Sequence, residues 1–260
     1  MIKRSQKIVT IIQARMGSSR LPGKVLKDLG GKPMLAHVIQ RVKRARFVDE
    51  IWVATTSSEL DLPIVEFCHE QNIPVYQGNE YDVLDRYYQT ATAAQADIVI
   101  RITADCPLVD PDLIDQLVTA FLQTGVDFAA NRLPPPWKRT YPIGLDIEVT
   151  SYSNLKLAWE KADQIYEREH VMPYFYDQPG RFKTLLLHHE LDLGAKRWTV
   201  DTPQDLDMLQ KVFDHFKDGP FSWLDVYEWL KQHPEIEQIN AEIEHKQMQE
   251  VDDRYHPEKK

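Results

Sequence analysis

Short apolar runs alternate with stretches of helical spacing along the first half of the chain, and this alternation restricts the fold more than any other feature. An apolar run at 8–12 (IVTII) precedes apolar residues at helical spacing in 35–42, and the strand-like IWVA follows at 51–54. This order of strand, helix and strand is typical of a βαβ unit. The pattern continues with a helix at 61–70, a strand near 73–76, a helix at 82–95, a strand at 98–102 and a helix at 111–123. The sequence therefore predicts an α/β fold with a mostly parallel sheet covered by helices on both sides.

The alternation breaks at 131–144 (NRLPPPWKRTYPIG), whose prolines and glycine do not suit a regular element. We expect a long functional loop or an excursion over 131–175 to a small second lobe. The elements predicted after the break are a strand at 145–149, helices at 151–162 and 167–177, a strand at 182–187 and an amphipathic helix near 206–216. Residues 1–234 are predicted to form the main domain, and the polar stretch 235–260 a frayed helix or tail.

The loop after the first strand is the most informative segment for function. It follows the strand at the carboxyl edge of the predicted sheet, where open α/β sheets bind ligands. Its backbone amides and three cations suit phosphate groups. A basic solvated turn is the alternative reading, and neither a dinucleotide fingerprint nor a Walker loop is present. The residues predicted to bind a nucleotide here are Gln13, Ala14, Arg15, Gly17, Ser18, Ser19, Arg20 and Lys24.

Composition limits the classes of partner. The chain is 43% hydrophobic and 27% charged, as in ordinary folded proteins, and its formal net charge of −9 disfavours nucleic acid. Two cysteines, Cys68 and Cys106, are too few for a disulfide framework and favour a reducing compartment. No signal-peptide pattern and no apolar run long enough to span a membrane is apparent. We therefore expect a cytoplasmic protein without nucleic-acid or membrane partners.

The opening loop carries a family resemblance. IIQARMGSSRLPGKVL followed by GKPML resembles the cytidylyltransferase family that includes the CMP-Kdo and CMP-sialic acid synthetases, and most closely its spore coat polysaccharide branch. The resemblance covers roughly residues 8–215. It implies a Rossmann-like fold of the nucleotide-diphospho-sugar transferase type, CTP and a sugar as substrates, and a homodimer built through 131–175. By position it implies that Arg15 and Lys24 hold the triphosphate with help from Arg20.

Two carboxylates are predicted to bind a metal ion. Asp105 follows the apolar run 98–102, and Asp201 ends a later strand-like segment, so both should lie at the carboxyl edge near the loop. Carboxylates facing phosphate suit Mg²⁺, and the resemblance implies the same two ligands. Helix capping is the alternative for Asp201, since Thr202 and Pro203 follow it. Arg15, Lys24, Asp105 and Asp201 are the predicted catalytic set.

The resemblance also marks residues for the base and the sugar. Thr55, Gly78 and Arg86 match regions that line the base pocket, although Arg86 could equally be a solvated helix residue. Asp146 and Glu148, two apart on the predicted strand, share a face and are candidates to meet the sugar or the metal.

An acidic sugar requires a cation for its carboxylate, for which we select Arg168 and His170 in the EREHVMPY stretch. An ordinary charged first helical turn remains the alternative reading of these two residues.

Two other functions remain open from the sequence. One is a glycosyltransferase of related fold, for which Asp110 and Asp112 form a D-x-D, although the adjacent Pro111 favours capping of a helix. The other is a non-catalytic nucleotide-binding subunit of a polysaccharide assembly complex. A Mg²⁺-dependent cytidylyltransferase remains the main hypothesis.

Overall fold

A computed structural model describes residues 6–135, 137–217 and 219–243. The strands are β1 Ile8–Gln13, β2 Asp28–Leu29, β3 Lys32–Pro33, β4 Glu50–Thr56, β5 Val75–Gly78, β6 Ile98–Thr103, β7 Phe128–Ala130, β8 Glu148–Ser151 and β9 Thr184–Leu186. The helices are α1 Met34–Val42, α2 Leu62–Glu70, α3 Val83–Ala93, α4 Pro111–Thr124, α5 Tyr152–Lys161, α6 Ile165–His170, α7 Pro173–Tyr176, α8 Pro203–His215, α9 Trp223–Gln232 and α10 Pro234–Glu237. Short 3₁₀ turns occur at Lys24–Leu26, Glu59–Asp61 and Gln238–Asn240.

Seven strands form the central sheet in the order β5-β4-β1-β6-β8-β7-β9. β1 pairs in parallel with both β4 and β6, and β4 pairs in parallel with β5. β8 runs antiparallel to its neighbours β6 and β7. The predicted Rossmann-like, mostly parallel sheet is therefore confirmed.

Alternating side chains of β1 supply the two sides of the core. Ile8 and Ile12 pack with α1 and α4 in one cluster, whereas Val9 and Ile11 pack with α3 and α7 in the other. Because successive side chains of a strand point to opposite faces, the single run IVTII contributes to both layers. The sheet is thus covered by helices on both faces, and its edges are left for the connecting loops.

Three predicted boundaries differ from the structure after residue 131. The strand predicted at 145–149 is observed at 148–151, because the side-chain amide of Asn131 binds the Leu145 carbonyl at 2.7 Å and the Ile147 N–H at 2.9 Å. The helix predicted at 167–177 divides into α6 and α7. Val171 adopts φ 72° there and Pro173 cannot donate a backbone hydrogen bond. The strand predicted at 182–187 is shorter, at 184–186.

The body of the protein also extends differently from the prediction. β8 lies inside the central sheet, so only part of the predicted excursion 131–175 leaves it. α10 and the following 3₁₀ turn continue the fold beyond 234, and Asn240 is 3% exposed. The rest of the predicted tail, 244–260, lies outside the described residues. None of the helices in the described part of the chain is both long and apolar enough to cross a membrane.

Candidate active site

The loop after β1 is fixed at both ends by backbone hydrogen bonds. Gly23 adopts φ 69° and donates to the Met16 carbonyl at 2.9 Å, which closes the loop. On the other side, the Met16 N–H donates to the buried carboxylate of Asp61 at 2.6 Å. Asp61 also accepts a hydrogen bond from the Thr56 hydroxyl at the end of β4. Asp61 therefore ties the loop to the neighbouring strand, a role that the sequence pattern does not indicate.

A cavity of about 200 Å³ opens above this loop. The structure brings nine of the predicted residues to its wall, whereas Ala14 is buried at 2% exposure and does not line it. The wall is formed by Gln13, Arg15, Gly17, Ser18, Ser19, Arg20, Lys24, Val25, Thr103, Ala104, Asp105 and Asp201. The predicted cations and carboxylates thus share one site at the carboxyl ends of β1 and β6.

Lys24 lies between the two predicted metal ligands. Its Nζ is 2.7 Å from Asp105 Oδ2, 2.7 Å from Asp201 Oδ1 and 2.8 Å from the Val200 carbonyl. An ammonium group has three N–H donors, so all three are used. The Thr103 hydroxyl orients Asp105 by donating to Oδ1 at 2.6 Å. The loop and the two carboxylates are thereby joined directly.

The charges of this group are mutually stabilised. Burial opposes protonation of Lys24, but Asp105 and Asp201 hold its pKa above the usual value. Burial likewise opposes ionisation of Asp201, yet Lys24, Arg20 and Arg197 keep its pKa well below the usual range. Asp201 therefore remains a carboxylate at neutral pH, the form that a divalent cation requires.

A network of hydrogen bonds among Arg197, Asp205 and Asn240 supports Asp201. Arg197 donates to Asp201 Oδ2 at 2.8 Å and to both oxygens of the fully buried Asp205 at 2.8 and 2.9 Å. Asn240 Nδ2 donates to Asp205 Oδ1 at 2.9 Å and to the Arg197 carbonyl at 3.1 Å. Asp205 could be recognised from the sequence as the third residue after the cap Thr202, but no sequence signal indicates Arg197 or Asn240.

The capping alternatives are resolved by the structure. Thr202, rather than Asp201, is the N-cap of α8 and forms a capping box with Asp205. Asp110 caps α4 through the N–H groups of Asp112 and Leu113, and its other oxygen is 3.5 Å from Arg41. Asp110 is thus engaged in capping, and the D-x-D reading loses its first carboxylate.

Cys106 lies beside Asp105 but is unsuited to nucleophilic chemistry. Its thiol is buried, and burial followed by the nearby Asp105 and Asp146 carboxylates raises its pKa well above the usual value. A nucleophilic cysteine requires the thiolate form. Cys106 therefore remains a protonated thiol.

The residues predicted for the base pocket do not line the cavity directly. Thr55 is fully buried on β4. Gly78 provides space for Arg86, because a Cβ there would lie 2.8 Å from Arg86 Cγ. Arg86 is itself fully buried, and its Nη1 donates to the carbonyls of Asn79 and Glu80. The reading of Arg86 as a solvated helix residue is therefore wrong.

Two further donors of Arg86 remain available. Its Nε and Nη2 make no hydrogen bond within the described residues. Burial lowers its pKa to about 10, with a smaller contribution from the nearby charge of Arg15. An unsatisfied buried donor is costly, so an acceptor on a ligand beside Arg15 would be stabilised here.

The two carboxylates predicted to meet the sugar are engaged with arginines. Asp146 precedes β8 and makes a two-pronged ion pair with Arg139 at 2.6 and 3.1 Å. Glu148 begins β8, is 3% exposed and pairs with Arg101. The prediction that both lie on one strand is wrong, because the strand begins at Glu148, three residues later than expected.

Arg168 and His170 lie in the last turn of α6, so the alternative of a charged first turn is wrong in position. Arg168 Nε donates to both oxygens of Asp82 at 3.1 Å, and its Nη1 donates to the Trp159 carbonyl at 2.6 Å. Asp82 is the N-cap of α3, so this pair joins α6 to the helix that carries Arg86. No contact between Arg168 and the cavity wall is observed in the described residues.

Comparison with known proteins identifies the family. The cytidylyltransferase family model matches residues 9–249. SpsF, the spore coat polysaccharide biosynthesis protein of Bacillus subtilis (strain 168), is 31% identical over 221 residues, which covers 82% of this chain and 89% of that protein. A 3-deoxy-manno-octulosonate cytidylyltransferase of Anaeromyxobacter sp. (strain K) is 36% identical over 236 residues, covering 77% of this chain and 95% of that protein.

A solved structure agrees with these sequence comparisons. The cytidylyltransferase from Leptospira borgpetersenii serovar Hardjo-bovis superposes with a TM-score of 0.85 at 34% identity, over 92% of this chain and 100% of that chain. The resemblance noted in the opening loop is confirmed. The chain therefore belongs to the cytidylyltransferase family and is a nucleotidyltransferase.

Proposed function

We propose that this protein is a Mg²⁺-dependent cytidylyltransferase that transfers CMP from CTP to a hydroxyl of an acidic sugar and releases pyrophosphate. The observation that carries the proposal is the contact of Lys24 with both Asp105 and Asp201, at 2.7 Å each, on the wall of a cavity lined by loop cations. One relative named as a 3-deoxy-manno-octulosonate cytidylyltransferase and another named for spore coat polysaccharide biosynthesis support it.

The two carboxylates fit a magnesium ion in the presence of a nucleotide. No group of three or more metal-binding side chains of the His, Cys, Asp or Glu type occurs among the described residues. Mg²⁺ commonly uses one or two carboxylates and completes its shell with phosphate oxygens and water. Asp105 and Asp201 would hold it. When bound, it would stabilise charge on the α-phosphate and lower the pKa of the attacking hydroxyl.

The chain's own residues supply positioning and charge. Arg15 and Arg20 bind the leaving phosphates, so that negative charge developing on pyrophosphate is neutralised. Lys24 uses all three donors within the protein, so it must exchange at least one contact to reach a phosphate. With a divalent cation held by Asp105 and Asp201, Lys24 would be free of these contacts and would bind a phosphate of the nucleotide.

Base selection is assigned to Arg86. Its unsatisfied Nε and Nη2 are two neighbouring donors, and the N3 and O2 atoms of cytosine are two neighbouring acceptors. Uracil presents a donor at N3 and would leave one of these groups unpaired. Arg86 therefore favours CTP over UTP.

The sugar is assigned to a different part of the protein from the nucleotide. We assign the sugar to the side of Asp146, Arg168 and His170, where Arg168 would bind a carboxylate by releasing Asp82. Glu148 supports this side through Arg101, whose Nη2 lies 3.4 Å from Gln13 Oε1. A homodimer through 131–175, a cytoplasmic location and a product used for an envelope or spore coat polymer complete the proposal.

Thermal unfolding with each of CTP, UTP, GTP and ATP, with and without Mg²⁺, tests the nucleotide half. A ligand at about a hundred times its Kd adds roughly 2.7 kcal/mol, enough for a shift of several degrees. We expect a shift that is selective for CTP and requires Mg²⁺, and that disappears in Arg15→Ala/Arg20→Ala. Lys27→Ala is the matched control, since Lys27 follows the same loop but does not line the cavity.

The other outcomes separate the alternatives. A CTP shift without pyrophosphate release across a panel of acidic sugars would favour a non-catalytic subunit. Preference for another nucleotide would overturn the role of Arg86. Equal shifts in the loop variant and in wild type would overturn the phosphate site.

A further inference from the structure

A second cavity, of about 330 Å³, lies away from the phosphate loop. It opens where α1, the β2–β3 hairpin and the segment after α8 meet, and it shares no lining residue with the first cavity. Its volume is at the lower end of the range for small-molecule sites, which begins at about 300 Å³. Neither the proposed reaction nor its predicted residues involve this cavity.

The charge of this cavity opposes that of the whole protein. Four cationic side chains line it, Lys32, Arg41, Arg44 and Lys217, and none of the described lining residues is acidic. Asp218 follows Lys217 in the sequence and lies outside the described residues. With a formal net charge of −9 overall, such a concentration of cations is a local feature that attracts anions.

The cations have two different roles. Arg41 is buried, and it donates to the Val109 carbonyl at 2.7 Å and to the Phe221 carbonyl at 3.2 Å, so it shapes the floor. Arg44 is exposed in the turn that follows α1 and makes no side-chain hydrogen bond or ion pair within the described residues. Lys32 is exposed on β3, and its side chain makes one hydrogen bond within those residues, to Gln40 Oε1 at 3.3 Å. Lys32 and Arg44 are therefore available to a ligand.

An aromatic wall faces these cations. The rings of Phe216 and Phe221 stack with centroids 4.6 Å apart, and Phe213 meets Phe221 edge to face at 5.7 Å. The His37 ring lies 4.2 Å from Phe213. Gly30 allows the hairpin to approach this wall, because a Cβ there would lie 2.9 Å from Phe213 Cβ. Arg41 lies over the Phe221 ring, with its Cζ 4.7 Å from the ring centroid, and Phe213 is 4% exposed, so the half-buried rings of Phe216 and Phe221 supply most of the apolar surface.

We propose that this cavity binds a nucleoside monophosphate, with the phosphate against Lys32 and Arg44 and the base against the Phe213, Phe216 and Phe221 wall. Exposed lysine and arginine heads provide charge-assisted hydrogen bonds to phosphate, and aromatic rings stack on flat bases. This site is separate from the proposed CTP site. It contacts the hairpin that directly follows the turn containing Lys24.

Equilibrium dialysis of AMP and of CMP against the full-length protein tests the proposal. The diagnostic variant is Lys32→Gln/Arg44→Gln. The matched control is Lys43→Gln/Lys211→Gln, which removes the same charge from exposed positions beside α1 and on α8 that do not line the cavity. A third variant, Arg15→Ala/Arg20→Ala, disables the phosphate loop.

We expect the diagnostic variant to weaken binding of AMP by about tenfold or more, the scale of losing one charge-assisted hydrogen bond. The control and the loop variant should retain wild-type affinity for AMP. AMP should also bind more tightly than adenosine or inorganic phosphate, since each of these engages only one side of the cavity.

Three results would overturn the proposal. Equal losses in the diagnostic and control variants would mean that only overall charge matters. Loss of AMP binding in the loop variant would assign the nucleotide to the first cavity. Phosphate that binds as tightly as AMP would remove the role of the aromatic wall.

Discussion

The phosphate-loop side and the sugar side of this protein are built in different ways. On the first, residues placed after strand ends meet directly, and Lys24 contacts both Asp105 and Asp201. On the second, the residues chosen from the sequence pair with partners from loops and other elements, as Asp146 does with Arg139 and Arg168 with Asp82. The parallel sheet thus brings the first group of residues together, whereas the second group depends on pairings made by loops and helix ends.

The largest expected effect tests whether Arg197 stabilises the phosphate-loop side through its ion pairs with Asp201 and Asp205. Arg197→Met leaves the fully buried Asp205 and the half-buried Asp201 without the cation that they share, and breaking a buried pair costs about 3–5 kcal/mol. Urea unfolding should show this loss. Arg46→Met is the control, because Arg46 also pairs with a buried aspartate, Asp115, but its own side chain is 78% exposed. Equal losses in the two variants would contradict a special role for Arg197.

A second prediction concerns the chemistry of the same side. Asp105→Asn should lower turnover at least about a hundredfold, the usual scale for losing one electrostatic stabiliser. Pyrophosphate release under saturating CTP measures it. Asp112→Asn should retain the wild-type rate, since Asp112 is exposed and lies outside the cavity. A near wild-type rate for Asp105→Asn would remove Asp105 from the mechanism.

A third prediction concerns Gly144, which lies where the two sides contact each other. Gly144 adopts φ 106°, and a Cβ there would lie 2.5 Å from the Trp198 backbone, in the turn that leads to Asp201. Gly144→Ala should therefore destabilise the protein by about 2 kcal/mol or more, through strain and displacement of this turn. Thermal unfolding gives the value.

Gly125→Ala is the control that separates backbone strain from displacement of the Trp198 turn. Gly125 also has a positive φ, of 61°, but a Cβ there meets nothing within 4 Å, so only the backbone strain of about 1–2 kcal/mol remains. If both variants lose the same stability, the contact between residues 131–147 and the Trp198 turn does not matter. The two sides would then be more independent than the structure indicates.

The smallest effect is expected on the sugar side. Arg168→Lys removes the forked contact with Asp82 but keeps the charge, and the stability loss should be within about 1 kcal/mol. If Arg168 binds the sugar carboxylate, KM for the sugar rises while KM for CTP is unchanged. A rise in KM for CTP alone would instead assign Arg168 to the base side through the N-cap of α3.

Sequence reasoning succeeded where function follows from strand ends. Asp105 and Lys24 are far apart in the chain, but each follows a strand whose carboxyl end is fixed by parallel pairing, so their approach was predictable. Asp61 and Arg197 were missed because their roles arise from hydrogen bonds made by loops and helix starts. No periodicity or motif encodes such contacts.

The same reasoning explains the errors after residue 131. The LDIEV segment has strand-like alternation, but the amide of Asn131 binds the backbone of Leu145 and Ile147 and delays the strand. The helical pattern over 167–177 carries no local sign of the positive φ at Val171, apart from Pro173 two residues later. Tertiary contacts therefore override local pattern most after residue 131.

The position of Asn240 near the end of the described chain means that the support of Asp201 is synthesised last. The loop after β1, Asp105 and the parallel strands β1, β4, β5 and β6 leave the ribosome first. The turn with Asp201 follows much later, and the side-chain amide that secures Asp205 and Arg197 comes from residue 240. The loop after β1 is thus synthesised long before the residues that support Asp201. A truncated chain that ends before Asn240 would keep every cavity-lining residue and still lack the hydrogen bonds of Asn240 that support Asp201 through Asp205 and Arg197.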